Sequence, residues 1–296
     1  MLDRSFSRIA FAVFVLGATV PVGCAGPSQV SFVNNERPNS PSGAQGLQSN
    51  TAAHHENPQG ASPELPNDDV VVEPERPAAE TKAERALVHI HGPDGLVCSG
   101  VILGPKLVAT ASRCVRGEPK GLMKLPAGRE YKVEIASSTL TWTHRRAEYT
   151  VVPDCSFREL DLALLVLADP APWVVPLKIT SAPGTGAKVQ ALGFGHCAGQ
   201  KETMRERVGV VRNRDSGGLV IDVPLCKGDT GGPVLDGVDG DVVGLISRRD
   251  DPEGSPLRTT TISRLDTTQA RELIAQARQL AEGTDSGKLQ GVSCNN

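Results

Sequence analysis

From residue 84 onward the chain is cut into strand-length pieces. Its apolar or alternating runs are RALVHIHG, GVILGPKLVATA, DLALLVLA, KVQALGFG and DVVGLISR, punctuated by Gly, Pro and Asp. Many short runs of this kind between turn residues predict an all-β domain. ILGPKLVA reads as a hairpin turning at Gly104-Pro105. The spacing supports one helix, over 265–282, where Ala270, Leu273, Ile274, Ala277 and Ala281 share a face. Asp266 is its expected N-cap, with Gln269 three residues on, and Gly283 its expected stop. Roughly 200 residues of such chain are ample for a real core.

The first 23 residues read as a signal peptide: Arg4 and Arg8, then the twelve-residue apolar run IAFAVFVLGATV, too short for a comfortable membrane span. PVGCAG follows and suggests a bacterial lipoprotein signal, with Cys24 as the lipidated residue. Pro21 stands where leucine is usual, and ordinary secretion with cleavage nearby is the alternative. Residues 24–83 are rich in Pro, Ser, Asn, Gln, Gly and Glu without apolar periodicity. Such a segment cannot bury enough surface to offset its ordering entropy, so a disordered linker is expected. His54 and His55 fall within it and read as exposed, not as metal ligands. The 31 basic and 34 acidic side chains give a net charge of −3 and no reason to expect nucleic acid.

Three motifs in the β-rich part carry chemistry. VATASRCV (108–115) resembles the Thr-Ala-Ala-His-Cys of trypsin-like serine proteases, whose histidine is the general base. ELDLALLVL (159–167) resembles their Asp-Ile-Ala-Leu-Leu, whose aspartate orients that histidine. CKGDTGGPV (226–234) resembles Gly-Asp-Ser-Gly-Gly-Pro around the nucleophile. The order base, acid, nucleophile is that of the family, and ALGFG (191–195) looks like the segment that opens its second barrel. The resemblance implies a trypsin-like double β-barrel with a C-terminal α-helix. The first barrel would cover about 84–170, the second about 178–264, the helix 265–282 and a tail 283–296.

Carried over residue by residue, the resemblance puts Arg113 at the base, Asp161 at the orienting acid and Thr230 at the nucleophile. The backbone N–H groups of Gly228 and Thr230 would form the oxyanion hole. A guanidinium stays protonated and offers no acceptor, so Arg113 cannot take a proton from a hydroxyl. Threonine keeps the hydroxyl but adds a methyl that stiffens χ1 and crowds the approach of a carbonyl. Losing one member of such a triad costs about 10⁴- to 10⁶-fold in turnover. Arg113 is expected to form a charge-assisted, bidentate pair with Asp161. The alternative is that it turns to solvent while backbone N–H groups cap the acid. His89, His91, His144 and His196 fall at ordinary strand or loop positions and read as surface histidines, not as substitute bases.

Other departures point the same way. The family is activated when a freed apolar N-terminus pairs with the aspartate before the nucleophile, here Asp229, yet no Gly-Gly stands upstream of ALVHI. The specificity-pocket floor would be Pro224, with Arg248 and Arg249 on the wall where an aromatic residue and a glycine usually stand. An arginine in place of that glycine would fill the pocket. Setting Cys24 aside leaves six cysteines, an even number suited to an exported domain. The resemblance implies Cys98–Cys114, and the fold it implies favours Cys197–Cys226 and Cys155–Cys294.

The expected protein is a degenerate member of this family, exported to the cell envelope or secreted. It would be held to a membrane through Cys24, the outer one if there are two, and act as a monomeric binding or scaffold module for a protein or peptide ligand. The alternatives are a residual hydrolase using Thr230 and a structural envelope protein without an open cleft. No cofactor or metal is expected.

Overall fold

The computed structural model describes residues 78–196, 203–249 and 259–294. The signal segment, Cys24, His54, His55 and Cys197 lie outside these residues. The first barrel uses β1 (Leu87–His91), β2 (Val97–Gly104), β3 (Leu107–Thr110), β4 (Gly121–Lys124), β5 (Lys132–Ala136), β6 (Trp142–Val152) and β7 (Ala163–Leu167). Their order is β4-β6-β5-β1-β2-β3-β7, and a further β6–β7 pairing closes all but β4 into a six-stranded barrel. The length of β6 makes this closure possible. Its first half pairs with β5, and its second half pairs with β7 on one side and β4 on the other. The ILGPKLVA hairpin forms, with Gly104 ending β2 and the turn at Pro105-Lys106, one residue later than expected.

The second barrel uses β8 (Lys188–Gly193), β9 (Arg205–Arg214), β10 (Gly218–Ile221), β11 (Pro233–Asp236), β12 (Val242–Arg249) and β13 (Thr260–Arg264). These close in the order β10-β13-β12-β11-β8-β9. Val189, Val211, Leu219, Ile221, Val234, Val243, Ile246 and Ile262 fill its interior. At about 25 cal/mol per Å² of apolar surface, burial of such side chains is the main force that closes each barrel. β1 is buried on both faces. Val88 and Ile90 point into the first barrel, while on the opposite face His89 stacks on Phe194, just past β8, at 4.7 Å between rings.

The C-terminal helix α2 spans Thr268–Ala281, inside the expected 265–282. Its N-cap is Thr267, not Asp266: the Thr267 hydroxyl accepts the Ala270 N–H. Asp266 is drawn elsewhere, accepting the Ala182 N–H at 3.0 Å and pairing with Arg264 at 2.9 Å. Ala270, Leu273, Ile274, Ala277 and Leu280 are buried, so Leu280 and not Ala281 completes the apolar face. Gly283 at φ 96° ends the helix, and the Thr284 N–H reaches back to the Gln279 carbonyl. A short helix α1 (Lys82–Ala86) precedes β1, with a Thr81–Glu84 capping box. Ala79 is fully buried and donates to the Thr139 carbonyl, so packed chain begins ahead of the expected boundary at 84. The tail returns to the first barrel through the Cys155–Cys294 disulfide.

Candidate functional site

Each key position sits at a strand terminus. Arg113 lies in a 3₁₀ turn (Ser112–Val115) just after β3, Asp161 just before β7, and Thr230 just before β11. The Cys98–Cys114 disulfide fastens that turn to β2. The Ser99 N–H donates to the Thr230 carbonyl at 2.9 Å, tying the nucleophile loop to the same strand.

Asp161 is 1 % exposed and saturated with donors. Ser112 Oγ and Ser247 Oγ each donate to it at 2.6 Å, on different carboxylate oxygens. Arg113 Nε donates to Oδ2 at 2.9 Å, and the Arg113 N–H reaches Oδ1 at 3.4 Å. The guanidinium therefore engages the carboxylate through Nε alone, with the backbone N–H as the second arm, instead of the expected side-chain fork. Its outer face lies 5.1 Å from the centre of the Phe157 ring, a cation–π distance. Ser112 and Ser247 have no counterpart in the sequence reading. The signal for Ser112 was its position beside Arg113, where the resembling motif has alanine. Arg113 is not turned to solvent, and its side chain is 25 % exposed.

The Thr230 hydroxyl has no hydrogen-bond partner among the described residues, and nor do the backbone N–H groups of Gly228 and Thr230. Gly228 takes φ 102°, a left-handed conformation that a side chain would strain. Arg113, Thr230 and Gly228 line one cleft of about 480 Å³ together with Arg116, Lys227, Leu96 and Tyr131. Burial, with the Glu118 carboxylate beside it, pushes the Tyr131 phenol well above its usual pKa. A second cleft of about 300 Å³ is lined by Asp161 together with Ser247, Arg248, Phe157 and Gly218. Pro224 lines neither cleft, and the Arg249 side chain lies outside the described part of the structure.

Asp229 is fully buried. Its carboxylate accepts the Gly195 and Cys226 N–H groups, each at 2.8 Å, and the Arg207 guanidinium at 2.9 Å. A Cβ at Gly195 would collide with that carboxylate, so ALGFG needs its second glycine. Arg207, from β9, thus supplies from within the chain the cation that the resembling proteases draw from a freed N-terminus. No motif marks it in the sequence.

Cys155–Cys294 forms as the implied fold favours, and Cys226 is disulfide-bonded while its expected partner, Cys197, lies outside the described residues. Disulfides persist outside the reducing cytosol, so this is an exported protein. His89 corrects the reading as a surface histidine: it is 1 % exposed and faces Glu134, with His91 and His144 around the same carboxylate.

The profile of the trypsin-like peptidase domain matches residues 98–245, half of the chain. Thrombin-like enzyme bhalternin of Bothrops alternatus is 24 % identical over 200 residues, covering 58 % of this chain and 75 % of its own. Neuropsin, a serine protease expressed in the limbic system of mouse brain, superposes with a TM-score of 0.53 at 18 % identity, over 70 % of this chain and 99 % of its own. The double barrel and the strand-end placement of positions 113, 161 and 230 fit that match, and the chain belongs to the trypsin-like peptidase family.

Proposed function

We propose that this family member is a catalytically inactive binding module. One observation carries the proposal: the Arg113 guanidinium occupies Asp161, where the family places an imidazole. A guanidinium stays protonated and offers no acceptor, so Arg113 cannot relieve Thr230 of its proton. No hydrogen bond among the described residues brings another base to the Thr230 hydroxyl.

What remains suits binding. The cleft beside Thr230 carries Arg116 and Lys227, and the backbone N–H groups of Gly228 and Thr230 in it have no partner among the described residues. Such a cleft fits an extended peptide with a carboxylate, from an acidic side chain or a C-terminus. Anchoring through Cys24 would hold the module at the cell envelope.

A mixed peptide library offered to the full exported chain tests this. The proposal expects uncleaved acidic peptides to be retained, and Arg116→Ala/Lys227→Ala to release them. Cleavage products that vanish in Thr230→Ala would establish a threonine hydrolase instead. Neither cleavage nor retention would leave a structural protein.

A further inference from the structure

We infer that His89, His91 and Glu134 form a binding site for a divalent transition-metal ion of the zinc class, with His144 within reach as a fourth donor. The strand register assembles the cluster. His89 of β1 lies directly opposite Glu134 of β5, and Glu134 lies directly opposite His144 of β6. Residues opposite one another share a sheet face, and His91, two residues beyond His89, shares it too. The outer face of the first barrel thus carries a row of three imidazoles around one carboxylate.

The distances fit an ion. His89 Nδ1 lies 3.0 Å and His91 Nε2 3.3 Å from Glu134 Oε2, and His144 Nε2 lies 3.6 Å from Oε1. Ligands about 2.0–2.1 Å from a tetrahedral zinc are separated by about 3.3 Å. The donor atoms of His89, His91 and Glu134 all lie within 4.8 Å of one another. His91 Nε2 is buried yet makes no hydrogen bond among the described residues: it is close to the carboxylate but lacks the alignment a hydrogen bond needs. A nitrogen and an oxygen that converge on a third atom have that relation.

The surroundings fit as well. The His89 ring is closed in on its inner side by Phe194, and His91 lies edge-on to it at 4.2 Å between ring centres. The Glu134 side chain is 6 % exposed and that of His144 62 %, so the cluster is shielded within and open to solvent at one end. Imidazole nitrogens with one carboxylate suit zinc, copper or nickel, whereas calcium and magnesium need oxygen donors. A bound ion would tie β1, β5 and β6 together where the first barrel meets Phe194. None of these residues occupies positions 113, 161 or 230, so the site is separate from the degenerate triad.

The full exported chain, stripped with a chelator and dialysed against Zn(II), tests the inference. We expect one tightly held ion per chain, undisturbed by excess Mg(II). Co(II) in its place should give the intense visible bands of tetrahedral coordination. His91→Ala and Glu134→Gln should each weaken binding by more than the roughly 10- to 100-fold that loss of an outer-sphere partner costs. Their folding is checked by circular dichroism, and His91→Gln replaces His91→Ala if that variant does not fold. His54→Ala/His55→Ala should bind as the parent does. Undiminished affinity in both ligand variants, binding lost with His54 and His55, or no saturable binding at all would overturn the site.

Discussion

Asp229 shows how single residues set the state of this molecule. It is buried, and the Arg207 guanidinium is the cation at its carboxylate. Because Arg207 is part of β9, the pairing needs no cut in the chain. Removing one partner of a buried pair leaves an uncompensated charge and costs about 3–5 kcal/mol. Arg207→Ala should therefore lower the urea midpoint by that equivalent, and a loss below about 1 kcal/mol would mean that the two N–H donors suffice on their own. The same scale shows what was legible in the sequence. Arg113 announced itself because a short local motif surrounds it. Arg207 and Ser247 did not, because their partners lie far off in the chain and strands carry no motif for such contacts. His89 was misjudged for a related reason. Alternation along β1 tells which residues share a face, but not that Phe194 from beyond the second barrel's first strand covers the outer one.

At the scale of elements, the entry to α2 turns on a competition between neighbours. Asp266 and Thr267 are both good caps, and intrinsic preference favours the aspartate. The fold reverses that order, because Arg264 and the Ala182 N–H claim the aspartate. Burial alone would raise the pKa of Asp266. The hydrogen bonds from Arg264 and Ala182, with the charge of Arg264, outweigh it and hold the carboxyl below its usual range. A depressed folded-state pKa contributes stability that is present above the unfolded value and is lost as the pH falls through the folded one. Asp266→Asn should thus melt lower than the parent near neutral pH, with the gap closing in acid. Thermal melts across that range check it, and a gap that does not change with pH would assign the loss to packing. Strands β1, β2, β3, β7, β8 and β12 were legible because their apolar runs are short and sharply punctuated. The boundary at 84 was set too late because α1 depends on a capping box and on Ala79 packing, neither of which creates an apolar run.

Over the whole molecule, two barrels bring three distant strand ends together, as catalysis by this family requires. The chain keeps that scaffold. Disulfides brace it, Cys98–Cys114 beside position 113 and Cys155–Cys294 between the tail and the loop before Asp161. What differs is the chemistry seated on it: a cation on the acid, a threonine hydroxyl that no base meets among the described residues, and an internal arginine on Asp229. On the function we propose, the fold has been retained while proton transfer has been lost. Fluorophosphonate labelling of the full exported chain tests that claim most directly, with Thr230→Ala and Arg113→His/Thr230→Ser run alongside. The account predicts no labelling of the native protein, and labelling of the double reversion at a rate set by its restored base and hydroxyl. Native protein that labels, and stops labelling in Thr230→Ala, would contradict it.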